Sequence, residues 1–300
     1  MKRLFDFLLI GLIISFVINL GSCMYYVVQH SIKISEVPFL ERIYQIKDLL
    51  VEYRFSRLVN SNYVSVYILL VLSYYLKKNI DRPERFSIVL ILFFYLFVLA
   101  SWASCITIII TSLLLIKNIN DRSKKFMALV IVILGTIVFL NNPRLKNFLT
   151  GIEGASKELK TSSHSIANAR LLTWHSSLLL IKEKPIFGYG LGDANDQLIA
   201  KYKELGYQKN YTNRYNAHNQ FFQTWLQTGV FGMIVLISIF VVLGLRMRSS
   251  PNEFSVFLIL LISLLFESML VRFNGIVFFS IIVSLLLKRR SILGGRIIRN

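Results

Sequence analysis

Charge is scarce in this sequence, and negative charge is scarcer still. Only 17% of the 300 residues are charged, with 16 Asp and Glu against 34 Lys and Arg, a formal net charge of +18. A nucleic-acid-binding protein of similar pI would spread its basic residues over a polar, charge-dense surface, and no such surface is encoded here. The sequence also lacks the alternation of apolar and polar residues that marks outer-membrane strands, which excludes a β-barrel. Its two cysteines, Cys23 and Cys105, both lie in apolar stretches, cannot make a disulfide framework and reveal no redox compartment. Solenoid repeats, low-complexity tracts and long linkers are likewise missing.

What is abundant is apolar sequence in long runs. Hydrophobic residues make up 55% of the chain, and mean hydropathy is +0.59. Runs such as FDFLLIGLIISFVINL and SIVLILFFYLFVLASWASCITIIITSLLLI call for helices, because in lipid a helix satisfies its own backbone. The expected fold is all-α, a polytopic transmembrane bundle of about eight helices near 4–28, 60–76, 87–100, 103–116, 126–141, 219–245, 254–270 and 274–287. The stretch from Ser87 to Ile116 is long for one helix and short for two. A hairpin turning at Ser101-Trp102-Ala103-Ser104 gathers 17 of the 34 basic residues into five short segments on one side: 1–3, 77–86, 117–125, 246–253 and 288–300. By the positive-inside rule these segments and both termini are expected in the cytoplasm.

Three parts follow: helices over 1–141, a large outer loop over 142–218, and closing helices with a basic tail over 219–300. The large loop carries eleven basic and six acidic residues, a balance that favours an anionic ligand, although most of its lysines individually read as solvated. Leu20-Gly21-Ser22-Cys23 resembles a lipoprotein cleavage box but ranks below an ordinary first helix, since apolar sequence continues past it. Asn210-Tyr211-Thr212 matches a glycosylation acceptor by pattern alone.

Within the loop, ARLLTWHSSLLLIKEKP places Leu171, Trp174, Leu178 and Ile181 at helical spacing and predicts an amphipathic helix on the outer interface. Arg170 opens it, and a guanidinium can grip two phosphate oxygens where a lysine offers a point charge. The glycines at 188, 190 and 192 mark a tight turn that lets backbone approach something closely. Where the loop re-enters the membrane, His218 and Asn219 sit at a helix mouth, with Gly229 and Gly232 inside that helix. Arg214, and Arg272 on the next outer turn, are expected on the same face.

The string from His218 fits the motif of the bacterial O-antigen ligase and polymerase superfamily: His, then Asn, nine residues, Gly, two residues, Gly. ARLLTW and KPIFGYGLG resemble that family's Arg-led helix and its Pro-x-x-Gly-x-Gly turn. RFSRLVNSNYVSVYILL resembles its Asn-containing helix entrance, and LLFESMLVRFNGIVFF, with Glu267 and Arg272, its closing helices. The resemblance covers about 55–290. Two features depart from it: about eight helices where members usually have ten to twelve, and Trp102 after Ser101 where members often carry arginine.

The resemblance implies a multi-pass enzyme of the bacterial inner membrane with its large loop in the periplasm. Such enzymes move a glycan from undecaprenyl pyrophosphate to an acceptor hydroxyl, on lipid A-core for a ligase or on another repeat unit for a polymerase. Catalytic roles would fall to His218 as general base and Arg170 as a cation for the leaving pyrophosphate, with Arg214, Arg272, Asn219 and Glu267 in substrate binding. No cofactor and no metal is expected: His30, His164, His175 and His218 are scattered without ligand spacing, and Asp193 and Asp196 belong to no divalent-cation motif. Competing readings are a lipid-linked glycan transporter, which the concentration of charge outside the membrane disfavours, and an inactive truncated homologue.

Overall fold

The computed structural model describes residues 2–33, 60–75, 83–99, 102–116, eight positions between 122 and 137, and 166–284. Expectations about the segments 34–59, 76–82, 117–121, 141–165 and 285–300, the basic tail included, lie outside the described residues. Every regular element among the described residues is helical, so the all-α expectation is met. The chain divides into two compact units, 1–168 and 169–300.

The first unit contains α1 (Lys2–Lys33), α2 (Ser61–Tyr75), α3 (Pro83–Leu99) and α4 (Trp102–Ile116). The 87–116 stretch is therefore two helices. At the start of α2 the Asn60 side-chain oxygen accepts from the Asn62 N–H at 2.9 Å, satisfying one of the donors a helix start leaves orphaned. Helix α2 packs against α1, α3 and α4, and Val64, Val66, Ile68, Leu69, Leu70, Val71 and Leu72 are all buried, as befits a helix apolar on every side. Polar pairing specifies the α1 and α3 contact: Asn19 Nδ2 donates to Tyr95 Oη at 3.1 Å, and Ser15 Oγ lies 3.0 Å from the same oxygen. Cys23 is buried within α1.

The second unit contains all but the first three residues of α5 (Ile166–Glu183), then α6 (Ala194–Glu204) and the short α7 (Gln208–Thr212). Helix α5 lies where the sequence puts it, but it buries a different face. Ala169, Thr173, Ser176, Ser177 and Leu180 are buried while Leu178 stays exposed. Small residues and hydroxyls allow close approach. Thr173 and Ser177 donate back to carbonyls four residues earlier, and the buried Asn210 of α7 donates to Ala169 O and Thr173 Oγ1, both at 2.8 Å. Of the expected apolar stripe only Ile181 enters a core, with Leu180, Ala194, Leu198, Tyr202, Ala217 and Leu226. Lys201 ties α6 to the end of α5 through Glu183 at 2.8 Å.

The closing elements are α8 (Gln220–Met247), α9 (Pro251–Phe266), a 3-10 turn at Met269–Val271 and α10 (Phe273–Ser284). Leu236, Phe240, Leu243 and Met247 of α8 are buried at three- and four-residue spacing, with the Phe240 and Phe257 rings 6.2 Å apart and Gly244 leaving room for the Phe257 ring. The opposite face exposes Phe231, Ile234, Val235, Val241, Val242 and Leu245. By length and composition, Asp6–Tyr25 and Gln220–Met247 can cross a membrane, and Ser61–Ser73, Glu253–Phe266 and Phe273–Ser284 are shorter apolar helices.

Helix α8 is not continuous. Gly229 adopts φ 67°, ψ −161°, a conformation confined almost entirely to glycine, and the Pro185–Gly190 turn docks backbone to backbone at the break. Tyr189 N donates to Leu226 O at 2.7 Å, Gly190 N to Gln227 O at 3.0 Å, and Val230 N to Pro185 O at 3.0 Å. The groups released by the break are thus paired by the glycine turn. Gly229, expected inside the helix, instead marks its break, and a Cβ there would collide with the Ile186 carbonyl.

Candidate functional site

The site lies at the N-terminus of α8, where polar side chains from three segments converge. Asn219 is extended, and its Oδ1 accepts from the N–H groups of Phe221 at 2.9 Å and Phe222 at 3.2 Å. Its own N–H donates to Ser268 Oγ at 3.2 Å. Gln220 Oε1 accepts from Leu270 N at 2.7 Å. These last two bonds fasten the chain after α9 onto the mouth of α8. Gln223, wholly buried, accepts from Ala217 N at 3.0 Å and donates to Asn195 Oδ1 at 2.9 Å, which fixes the approach to His218 from the other side.

That frame brings His218 and Glu267 together. His218 Nδ1 stands 3.5 Å from Glu267 Oε2, with the histidine side chain 19% exposed and the carboxylate 2%. The separation is long for a hydrogen bond but within ion-pair range. Tyr215 meets the imidazole edge to face at 5.3 Å. The backbone is strained here, with His218 at φ 45° and Arg214 at φ 50°. Such left-handed conformations in non-glycine residues persist only where surrounding bonds impose them.

Arg170 completes the cluster from α5. One turn further on, Trp174 packs against Phe222 of α8 and Phe266 of α9, with centroids 6.2 and 6.4 Å away, so both of those helices hold the arginine-bearing turn. Burial pulls the Arg170 guanidinium below its ordinary pKa, while Glu267 and then Tyr215 pull it upward. An arginine so far above neutrality remains charged regardless.

Arg170, His218 and Glu267 thus converge, while the other residues singled out in the sequence have different surroundings. Asn219 spends its side-chain oxygen on the helix cap. Arg214 turns to Asp196 at 3.2 Å on an exposed surface. Arg272 follows the 3-10 turn with an exposed side chain. Tyr215, Gln220, Gln223 and Ser268 escaped the sequence reading, although paired glutamines three residues apart at the mouth of an apolar helix were a readable sign of buried polar work. Among the described residues no three His, Cys, Asp or Glu side chains gather as a metal site would require.

The fold and this cluster define an all-helical protein with membrane-capable helices and a His–Glu pair beside an arginine at a helix mouth. The chain belongs to the O-antigen ligase family, whose model matches residues 85–237. The match includes Arg170, Arg214, His218, Asn219 and Gly229; Glu267 and Arg272 lie beyond it. A Haemophilus influenzae protein described as uncharacterized is 25% identical over 147 residues, 46% of this chain and 36% of that one. The aligned region thus spans about a third of that relative.

Proposed function

We propose that the chain is a membrane glycosyltransferase that moves a glycan from undecaprenyl pyrophosphate to an acceptor hydroxyl, as an O-antigen ligase acting on lipid A-core. The observation that carries this reading is the convergence of His218, Glu267 and Arg170. In the reaction the acceptor oxygen forms a bond to the anomeric carbon while the bond from that carbon to the pyrophosphate oxygen breaks. The hydroxyl proton passes to His218, and the electron pair leaves with the pyrophosphate. Pyrophosphate needs fixed positive charge more than a strong acid, which suits Arg170. Glu267 stands on the Nδ1 side of the ring, which leaves Nε2 on the opposite edge to meet the acceptor hydroxyl. Neither a cofactor nor a metal enters these steps.

The proposed setting is the bacterial inner membrane, with about eight crossings, both termini cytoplasmic and residues 142–218 periplasmic. A repeat-unit polymerase would use the same residues on a different acceptor. Lipopolysaccharide gel profiles of a deletion strain separate the two: loss of all capped chains is expected for the ligase. Survival of a single-repeat rung would replace it with the polymerase, and an unchanged profile would overturn both.

A further inference from the structure

We propose that the turn joining α5 to α6 is a membrane wedge, with Ile186, Phe187 and Leu191 inserted among the lipids of the leaflet where α8 emerges. This inference rests on the reading that α8 crosses the bilayer. Ile186, Phe187 and Leu191 are 52%, 77% and 73% exposed, an apolar tip that no part of the described fold covers.

Its position identifies the occupant. The Phe187 ring lies 6.0 Å from that of Phe231, and Phe231 begins the exposed apolar face of α8 that continues through Ile234 and Val235. The tip and the helix face therefore form one continuous apolar surface, and whatever solvates the helix solvates the tip. The Gly229 break sets the depth. From Val230 to the end of α8 at Met247 a helix spans about 27 Å, close to the hydrocarbon thickness of a bilayer of about 30 Å. Phe231 thus sits at the rim of the hydrocarbon layer and holds Phe187 at the same level. Flanking chemistry agrees: Lys182 and Lys184 precede the tip and are exposed, Lys184 covers the Tyr189 ring at 4.8 Å, and Trp225 donates to Pro185 O at 3.0 Å. Lysines and amphipathic aromatics are the residues that favour the headgroup layer.

The backbone bonds between the turn and α8 make the wedge rigid, so its depth fixes the height of the His218 mouth above the lipid. The test uses nanodiscs and a variant lacking Cys23 and Cys105, with an environment-sensitive fluorophore on single cysteines at Phe187, Val242 and Lys203. Lipids spin-labelled on the acyl chain are the quencher. Quenching at 187 and 242, with none at 203, is the expected pattern. Quenching at 242 together with iodide-accessible, unquenched fluorescence at 187 would overturn the wedge while leaving the α8 crossing intact. Unquenched fluorescence at 242 would remove the crossing and the wedge together. Fluorescence at 187 shielded from both lipid and iodide would mean a protein partner covers the tip, and would also overturn the proposal.

Discussion

At the scale of single residues, the site is a small set of charges whose environment is fixed by uncharged neighbours. Arg170 sits close enough to Glu267 and Tyr215 for both to act on its charge, so a guanidinium there is held by tertiary structure. Replacing Arg170 with alanine is expected to abolish transfer while expression persists. Arg170→Lys is expected to rescue poorly, because a lysine lacks the planar fork that engages two oxygens. Full transfer by the lysine variant would reduce Arg170 to a generic charge. His218, Arg170 and Glu267, which the structure brings together, each lie in a contiguous stretch that the sequence singles out. Asn219 was legible as a position but not as a helix cap, since capping depends on backbone angles. The pairings of Gln220 and Ser268 were not legible: their partners, Leu270 and Asn219, lie 50 and 49 positions away, and one sequence holds no trace of which residues meet.

Among the described residues α1 to α4 and α8 to α10 were legible as apolar runs, and so was the division of 87–116 into two. The buried face of α5 was hidden because it is made of Ala169, Thr173, Ser176 and Ser177, residues that a search for apolar periodicity passes over. The break in α8 was hidden for a related reason, since a glycine in an apolar helix reads first as a packing residue. Gly229 and Gly192 provide the contrast that tests the docking of the glycine turn at this break. At Gly229 a Cβ meets fixed backbone in a conformation that side chains rarely adopt, whereas at Gly192 it meets nothing within 4 Å. Gly229→Ala is expected to undock the Pro185–Gly190 turn, with backbone strain alone costing about 1–3 kcal/mol and a visible fall in melting temperature in detergent. Gly192→Ala should lose far less. Equal losses in the two variants, measured side by side, would contradict the docking role.

For the whole molecule, charge distribution supplies the expected orientation and apolar length supplies the crossings. Cysteine labelling in intact cells is expected to place Arg82, Arg122 and Arg248 on the cytoplasmic side, and Trp102, Lys157 and Lys209 outside. Outside labelling at 122 would remove the hairpin topology and the placement of the loop derived from it. The all-helical character was readable from composition because only helices close their own hydrogen bonds in lipid. The compact core of α5, α6 and α7 was not, because Tyr202, Tyr207 and Tyr211 look like loop residues until they meet the cluster of Leu180, Ile181 and Leu198.

The central claim is that His218 takes the acceptor proton in a glycan transfer, and one measurement addresses it directly. Purified wild type and His218→Gln are compared, free of added metal, for transfer from an undecaprenyl-pyrophosphate glycan to its acceptor, with donor binding measured on the same preparations. A lost general base typically costs about 10²–10⁴ in rate, so the variant is expected to insert normally, bind donor and transfer at least about a hundredfold more slowly on that scale. A histidine with a merely structural place at a wet helix mouth would tolerate glutamine. Near-native transfer by His218→Gln would contradict the account and leave the arginines as the remaining candidates for the chemistry.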